Sequence, residues 1–257
     1  MTSPDPASQR TPRCLVIGAT GAIGGAVAQH LCTTGARVTA TGRTVPTIAA
    51  ADAAAYHGVE LDVRDPEAIT RTVAEAAAWM GGLDALVYCP GVAHVGALED
   101  LAPSQWDEIF EVNVRGFGLA IAAALPHWRA GKGGVAVAIS SQAGQRGQSL
   151  IGAYSASKAA LDGMVRALAV ELGPTVRVNA VAPGIVASDM IAEDFRRQAD
   201  RESCSESEIE ARTLRRIPAG RFQERESIAA VVGMLVNGPA AADITGQIFA
   251  VDGGMTS

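Results

Sequence analysis

Apolar runs alternate with alanine-rich stretches of helical spacing along most of the chain. The apolar runs lie at 14–18, 36–42, 59–63, 83–89, 134–140, 176–183 and 246–254. The helical stretches cover about 23–34, a run that ends near residue 76, about 104–128, and a run around residue 154. Unbroken apolar strands that alternate with helices are typical of a parallel sheet buried on both faces. The pattern therefore predicts an α/β fold, a doubly wound parallel sheet with helices on both faces.

Two segments depart from this alternation. Residues 189–216 are highly charged and directly follow a predicted strand. They are either solvated surface helices, as most charged runs are, or a mobile lid over a substrate pocket. Residues 1–12 are polar and contain prolines, without the apolar core of a signal peptide. We predict a flexible tail over 1–12, a single domain over 13–257 and a substrate lid at 189–216.

Composition narrows the class of partner. The 257 residues are 48% hydrophobic and only 4% aromatic, which is enough for one large core of Ala, Val, Leu and Ile. A net charge of −6 argues against nucleic acid or an acidic membrane as a partner, and no apolar run is long and continuous enough to span a membrane. The four cysteines and four histidines show no ligand spacing. We expect a cytoplasmic protein with reduced thiols and no metal site.

A glycine-rich turn follows the first predicted strand, in the stretch VIGATGAIGGAVA at 16–28. Gly18, Gly21 and Gly24 would let the backbone approach a pyrophosphate. The helix that follows would contribute backbone amides and a partial positive charge at its N-terminus. A glycine triplet alone is weak evidence, but this one lies between a strand and a helix, as the motif requires. The turn therefore predicts a dinucleotide-binding site.

The end of the second strand bears on the choice of dinucleotide. An acidic side chain there binds the free 2′-hydroxyl of NAD, whereas an arginine accommodates the 2′-phosphate of NADP. In this chain Gly42 is followed by Arg43. We predict that NADP(H) is preferred and that NAD(H) is the alternative. The other interpretation of Arg43 is an exposed loop arginine without a function.

A tyrosine and a lysine lie four positions apart at the start of a predicted helix, in GAYSASKAALDGM at 152–164. This spacing places Tyr154 and Lys158 on one helical face. A free phenol has a pKa near 10, and a nearby ammonium favours the phenolate and lowers that pKa. Tyr154 would then donate a proton to a carbonyl oxygen during reduction, or accept one during oxidation.

Together with these two motifs, further pieces of sequence resemble the short-chain dehydrogenase/reductase family over about 13–254. They are, in family order, LDV at 61–63, NVRG at 113–116, ISS at 139–141, NAVAPG at 179–184 and ITGQIFAVDGG at 244–254. The resemblance implies a single-domain, Rossmann-like fold and an oxidoreductase that uses a nicotinamide cofactor. Within the family, the pattern is most like the 3-oxoacyl-acyl-carrier-protein reductases.

The resemblance implies a specific set of site residues. The family's catalytic positions fall on Ser141, Tyr154, Lys158 and Asn113. In the family the serine binds the substrate oxygen, the lysine also holds the nicotinamide ribose, and the asparagine holds a water that relays protons. The cofactor-binding positions are Gly18, Thr20, Gly21, Ile23, Gly24, Arg43, Asp62, Val63, Cys89, Gly91, Tyr154, Lys158, Pro183, Gly184, Val186 and Ser188.

The chain departs from the family beside the glycine turn. Ile17 stands where a threonine is common, and Tyr88-Cys89-Pro90-Gly91 replaces the usual Asn-Asn-Ala-Gly. In the family those polar groups tie the first and fourth strands together. Because both polar sides are missing here, we expect apolar packing to replace the bond.

The resemblance also implies a substrate class. The first choice is a 3-oxoacyl thioester carried by acyl carrier protein. The alternative is a carbonyl reductase or alcohol dehydrogenase for a small, cyclic, sugar-like or steroid-like substrate, because fold-level analogy does not choose among these. A third function is nucleotide sensing without catalysis. One wall of the substrate pocket would be polar, formed by Gln142, Gln145, Arg146 and Gln148.

Two surface features bear on partners. Arg129 and Lys132 would either dock an acidic carrier near the mouth of the site or form a charge pair at a helix C-terminus. The helix at about 104–128 and the Tyr154 helix are rich in small residues. In the family such helices pack against a symmetry mate, so we predict a homotetramer, with a dimer as the fallback.

Overall fold

The computed structural model of the chain describes residues 11–48 and 54–257, so the predicted tail lies outside the described part except for its last two residues. Its sheet has seven parallel strands in the order β3-β2-β1-β4-β5-β6-β7. The chain winds outward from β1 to β3, returns to the other side of β1 for β4, and then winds to β7. This order confirms the doubly wound, Rossmann-like sheet. The strands are Arg13–Ile17 (β1), Arg37–Gly42 (β2), Tyr56–Glu60 (β3), Ala85–Tyr88 (β4), Gly134–Ile139 (β5), Val176–Pro183 (β6) and Ile248–Val251 (β7).

Helices cover both faces of the sheet, as predicted. In β1, Leu15 and Ile17 join a core with α2, α4 and α5, whereas Cys14 and Val16 join a second core with α1 and α8. This division follows from the period of two in a strand, which sends alternate side chains to opposite faces. The α-helices are Ala22–Thr33 (α1), Pro66–Met80 (α2), Pro103–Phe110 (α3), Gly116–Ala130 (α4), Gly152–Glu171 (α5), Asp189–Glu202 (α6), Glu206–Leu214 (α7) and Arg225–Asn237 (α8).

The third strand and the second helix differ in extent from their predictions. The strand predicted at 59–63 lies three residues earlier, at Tyr56–Glu60. Leu61 and Val63 are buried beyond its end, and the amide of Leu61 still donates to the carbonyl of Gly42 at 2.7 Å. The apolar run thus extends past the strand because these side chains are buried. Helix α2 runs about one turn further than predicted and stops at Gly81, whose φ of 73° is the left-handed conformation that commonly ends a helix.

The long helix predicted at about 104–128 is a helical run over Pro103–Ala130, with a π turn at Glu111–Arg115 between α3 and α4. By length and composition alone this run could cross a membrane, which corrects the expectation that no segment would reach that length. Phe117 and Trp128 are nevertheless fully buried against the sheet. The apolar residues of this run therefore build the core of the domain.

The charged segment 189–216 forms the helix pair α6 and α7. Phe195, Ala199 and Ile209 are buried together in a small core of their own, apart from the two large ones. Phe222, which follows the pair, packs with its ring centre 5.8 Å from that of Phe195, and the two rings are tilted by 43°. The helix pair is thus a small layered unit at the end of β6. Whether it closes as a lid stays a prediction.

Candidate active site

The glycine turn lies at the carboxyl end of β1 and has no room for side chains. Gly18 has a φ of +85°, and a Cβ there would lie 2.9 Å from the backbone nitrogen of Pro90. A Cβ on Gly24 would collide with the carbonyl oxygen of Gly18, so α1 can pack against the turn only with glycine there. Gly21 caps α1 without a side-chain hydrogen bond, which leaves the first amides of the helix open to an anion. These features fit a dinucleotide pyrophosphate.

The end of β2 packs against the same turn. A Cβ on Gly42 would lie 2.5 Å from Cγ2 of Thr20. An acidic side chain at position 42 would therefore not fit without moving Thr20. Arg43 is exposed, and its charge helps to hold the pKa of Asp62 below its usual range. The larger cause of that lowered pKa is the hydrogen bond that Arg64 donates to Asp62, with 3.0 Å between Nε and Oδ1.

The departures beside the glycine turn have a structural explanation. The amide of Cys89 donates to the carbonyl of Ile17 at 2.9 Å, so the backbone itself joins the ends of β1 and β4. The ring of Tyr88 packs edge-on against Phe117 at 5.7 Å, which is the expected apolar packing. Its hydroxyl, however, donates to the carbonyl of Val112 at 2.6 Å. The expectation of purely apolar packing is therefore incomplete.

Asn113 is fully buried in the π turn and links two parts of the site. Its Oδ1 accepts from the amide of Val92 at 2.8 Å, and its Nδ2 donates to the carbonyl of Val92 and to Oγ of Ser157, each at 2.9 Å. Ser157 in turn donates to the carbonyl of Tyr154 at 2.7 Å. Both hydrogens of Nδ2 are thus used, so a relay water could be held only by the Oδ1 or the backbone carbonyl of Asn113.

Ser141, Tyr154 and Lys158 converge beside this asparagine. Ser141 ends the loop after β5, and its Oγ accepts from the amide of Ala143 at 3.1 Å. Lys158 is buried, and its Nζ donates to the carbonyl of Ile139 at 2.9 Å, which leaves two of its three donors for other partners. The same Nζ lies 5.7 Å from the ring centre of Tyr154. The structure therefore brings together all four residues that the resemblance implies.

The electrostatics of the tyrosine differ from the sequence-based expectation. Burial raises the pKa of Tyr154 above its ordinary value, and the hydrogen bond from Ser141 opposes this rise. Burial also lowers the pKa of Lys158 from 10.5 to about 8, although Asp162 opposes that change. The net shift of the phenol pKa is therefore upward, opposite to the lowering that the sequence predicts. The group that counteracts burial of the phenol is the serine.

The remaining predicted cofactor positions also lie at the carboxyl ends of the strands. A Cβ on Gly91 would lie 3.3 Å from Nζ of Lys158, so this loop must approach the lysine closely. A Cβ on Gly184, which follows β6, would lie 2.8 Å from Cα of Asp252. Burial raises the pKa of the Cys89 thiol to about 12, which makes it a wall residue and not a nucleophile. Ile23 lies in the first turn of α1, directly after the glycine turn, and Val63 lies just beyond the end of β3. Three further positions follow one another at the end of β6: Pro183 is its last residue, Val186 forms a backbone bridge with Gln223, and Ser188 is the N-cap residue of α6.

Some predicted groups do not reach this site within one chain. Helix α4 starts beside Asn113 and runs away from the site, so Arg129 lies about 24 Å along the helix axis at 1.5 Å per residue. Lys132 follows it, just before β5 begins, at the amino ends of the strands and thus at the end of the sheet away from the site. Their placement at the mouth of the site is therefore wrong for a single chain. The polar wall is also reduced, because Arg146 donates to the carbonyl of Met255 at 2.7 Å and Gln142 is buried, while Gln145 and Gln148 stay exposed.

Two residues with roles in the geometry were missed by sequence reasoning. Ser157 joins Asn113 to the Tyr154 helix, and its position three residues after the tyrosine was the available signal. Tyr88 stands out in the sequence only as a departure from the family pattern. Among the described residues, there is no cluster of three or more His, Cys, Asp or Glu side chains that could hold a metal ion.

Fold and site together define a class of protein, the nucleotide-dependent oxidoreductases with a Rossmann-like sheet. A family model described as Enoyl-(Acyl carrier protein) reductase matches residues 18–256. The chain belongs to the short-chain dehydrogenase/reductase family.

Relatives with different printed activities share this similarity. The chain is 40% identical to the "Inactive 2-(S)-hydroxypropyl-CoM dehydrogenase 2" of Xanthobacter autotrophicus, over 79% of this chain and 86% of that protein. It is 34% identical to the 3-oxoacyl-[acyl-carrier-protein] reductase of Aquifex aeolicus, over 94% and 96% of the two chains. Among solved structures, an actinorhodin polyketide ketoreductase variant with NADPH matches with a TM-score of 0.87 and 30% identity, over 96% and 98% of the two chains.

Proposed function

We propose that this protein is an NADP(H)-preferring ketoreductase that reduces a ketone to a secondary alcohol by hydride transfer. The observation that carries the proposal is the convergence of Ser141, Tyr154 and Lys158 beside the glycine turn, with Tyr154 partly exposed and Lys158 buried. A phenol, a hydroxyl and an ammonium in this arrangement can polarise and protonate one carbonyl oxygen.

The chain's own residues account for the proton half of the reaction. When bound, the reduced nicotinamide supplies the hydride to the carbonyl carbon. The Oγ of Ser141 donates a hydrogen bond to the carbonyl oxygen as negative charge develops there. The hydroxyl of Tyr154 gives its proton to the same oxygen, which completes the alcohol, and the nearby ammonium of Lys158 stabilises the phenolate that remains.

The proposed preference for NADPH is supported by the end of β2. Thr20 fills the space in which a side chain at position 42 would lie, so no carboxylate faces the ribose from that position. Arg43 is exposed and makes no ion pair within 4 Å among the described residues. Its planar fork of donors is therefore free to bind a 2′-phosphate in two places at once.

Replacement of Arg43 tests this preference. Because a hydrogen bond to a charged group contributes roughly 1.5–3 kcal/mol, Arg43→Ala should lower kcat/KM for NADPH by about tenfold to a hundredfold. The value for NADH should hardly change. Initial rates with both cofactors measure the effect, and Arg71→Ala, an exposed arginine on α2, is the matched control. Equal losses with NADPH and NADH would show that Arg43 is structural.

The proposed substrate is a 3-oxoacyl thioester, with carrier protein as its natural support. The similarity to an acyl-carrier-protein reductase and to a polyketide ketoreductase favours this class. In this proposal the acyl carbonyl reaches Ser141 and Tyr154, and the pantetheine arm leaves past the helix pair 189–216. Arg129 and Lys132 lie at the amino ends of the strands, away from the site of their own chain. They would contact a carrier at this site only if it were Arg129 and Lys132 of a neighbouring copy in the assembly.

A substrate panel separates this proposal from its alternative. Binding energy from a remote arm can help to position the ketone. An acetoacetyl thioester should therefore give a kcat/KM at least about tenfold above that of the matching β-ketoester under NADPH. Cyclic ketones provide the second comparison. A clear advantage for simple or cyclic ketones would favour the alternative, a carbonyl reductase or alcohol dehydrogenase. The similarity to a relative named as a hydroxypropyl-CoM dehydrogenase supports this alternative.

The third function, nucleotide sensing without catalysis, requires the same measurement. The Xanthobacter autotrophicus relative carries "inactive" in its name, and in the sensing alternative this chain would likewise bind NADPH without turnover. The intact set of Ser141, Tyr154, Lys158 and Asn113 supports catalysis. Oxidation of NADPH by any ketone of the panel, followed by its absorbance, would establish turnover. Binding of NADPH with no turnover on any of them would favour sensing.

The assembly and location also stay proposals. We propose a homotetramer, as the resemblance implies, with contacts through the small-residue helices α4 and α5. The cytoplasm is the proposed location, on the grounds of the four unpaired cysteines.

A further inference from the structure

The hydroxyl of Tyr88 makes a buried hydrogen bond that neither the fold nor the proposed chemistry yet explains. Tyr88 is the last residue of β4, is fully buried, and stands where the family has an asparagine. Its hydroxyl donates to the backbone carbonyl of Val112 at 2.6 Å. Burial raises the pKa of this phenol well above its ordinary value, so Tyr88 is a permanent donor and takes no part in proton transfer.

The acceptor of this bond lies in the π turn. In a regular α-helix the amide of Gly116 would donate to the carbonyl four residues earlier, which is that of Val112. Here that amide donates to Glu111 instead, five residues earlier. The carbonyl of Val112 has therefore lost its helical donor, and an unpaired buried carbonyl is costly. The Tyr88 hydroxyl supplies the missing donor.

The residue directly after Val112 is Asn113, which makes the turn relevant to the site. In its present orientation Asn113 bonds to Val92 and to Ser157. Removing the extra residue of a π turn would rotate one side of the helix by about 100° relative to the other. Asn113 could not keep both partners after such a rotation. The hydroxyl of Tyr88 thus stabilises the backbone form that aims Asn113 at the site.

We propose that Tyr88 is a positioning residue, whose hydroxyl holds the π turn and thereby fixes Asn113 next to Lys158 and the Tyr154 helix. The consequence for turnover rests on the ketoreductase function proposed above. The consequence for the π turn itself does not, and it can be measured without any substrate.

Two variants remove the bond by independent means. Tyr88→Phe deletes the hydroxyl and keeps the ring against Phe117. Gly116→Ala keeps the hydroxyl but displaces it, because a Cβ there would collide with it, while alanine favours a helix. The control is Tyr56→Phe, since the hydroxyl of Tyr56 also donates to a backbone carbonyl, that of Pro46, at 2.6 Å but on the edge strand β3.

The first readout is amide hydrogen exchange of the segment 111–117, measured without substrate. Both site variants should exchange this segment faster than the wild type, while Tyr56→Phe should leave it unchanged. The second readout is kinetic. Because misplacement of a catalytic group can cost a hundredfold, both variants should lower kcat by about tenfold to a hundredfold while KM for NADPH stays nearly constant.

Two results would overturn the proposal. One is a Tyr88→Phe enzyme with wild-type exchange in the segment 111–117 and wild-type kcat. The other is faster exchange spread evenly over the core, with kcat and KM for NADPH worsening together, which would make Tyr88 an ordinary core residue. If the wild type itself shows no turnover, the ketoreductase proposal fails, and the exchange comparison alone decides whether Tyr88 holds the turn.

Discussion

Tyr154→Phe is expected to lower kcat by a hundredfold or more, which is the usual scale for loss of a general acid. The substitution keeps the aromatic ring and removes the only proton that this side chain can give. The affinity for NADPH should change little, because the phenol acts on the substrate oxygen and Lys158 keeps its bond to the carbonyl of Ile139. Steady-state rates with NADPH and the best ketone of the panel would measure the loss of kcat, and fluorescence titration would measure NADPH binding.

The chain offers a matched control for this substitution. Tyr56→Phe removes a hydroxyl that bonds to the carbonyl of Pro46, away from the site, and should leave kcat unchanged. A Tyr154→Phe enzyme with near wild-type turnover would show that Tyr154 is not the proton donor.

Ser141→Ala separates the role of the serine from that of the tyrosine. Because the Ser141 hydroxyl lowers the pKa of Tyr154, its loss should move the phenol pKa upward as well as lower kcat.

The sheet was predictable from sequence because its strands are buried on both faces. Such strands are continuous apolar runs that can be recognised without an alternation of apolar and polar residues. Strand β6, for example, is predicted at 176–183 and found at Val176–Pro183. Edge strand β3 is half-buried, and its prediction was displaced toward the buried Leu61 and Val63. The helix α8 was not predicted, although its burial against α1 completes the second core. Apolar pattern thus reports burial well and strand pairing less well.

The site was predictable in its residues but not in its electrostatics or connections. Order and spacing of the motifs led to Ser141, Tyr154, Lys158 and Asn113, because a family motif fixes position along the chain. The hydrogen bond from Tyr88 to Val112 joins residues 24 positions apart, and no local pattern encodes such a pair. The pKa of Tyr154 depends on burial, which is set by the whole fold. The predicted placement of Arg129 at the mouth of the site was wrong for a related reason. The direction of α4 decides whether its last turn lies at the carboxyl or the amino ends of the strands.

Lys158→Met is expected to abolish most activity and at the same time to stabilise the fold. Activity should fall by on the order of a hundredfold or more, because the phenolate of Tyr154 loses the nearby positive charge. Stability should rise because the charged lysine is only 2% exposed and burial lowers its pKa from 10.5 to about 8. That difference corresponds to a cost of about 3 kcal/mol at neutral pH, at 1.36 kcal/mol for each pH unit.

The net gain and its pH dependence can both be derived. Loss of the hydrogen bond to the carbonyl of Ile139 costs about 1 kcal/mol, so Lys158→Met should raise the free energy of unfolding by about 2 kcal/mol at pH 7. Below pH 8 Lys158 is protonated in both the folded and the unfolded protein, and the full cost of burying its charge is present. Between pH 8 and 10.5 it is neutral in the folded protein while the unfolded chain still binds the proton, so the cost disappears as the pH rises. Urea unfolding of both proteins should therefore show a difference that is largest at pH 7 and is lost by about pH 10. A variant no more stable than the wild type at pH 7, or a difference that stays constant with pH, would mean that the charge of Lys158 is solvated in the folded protein.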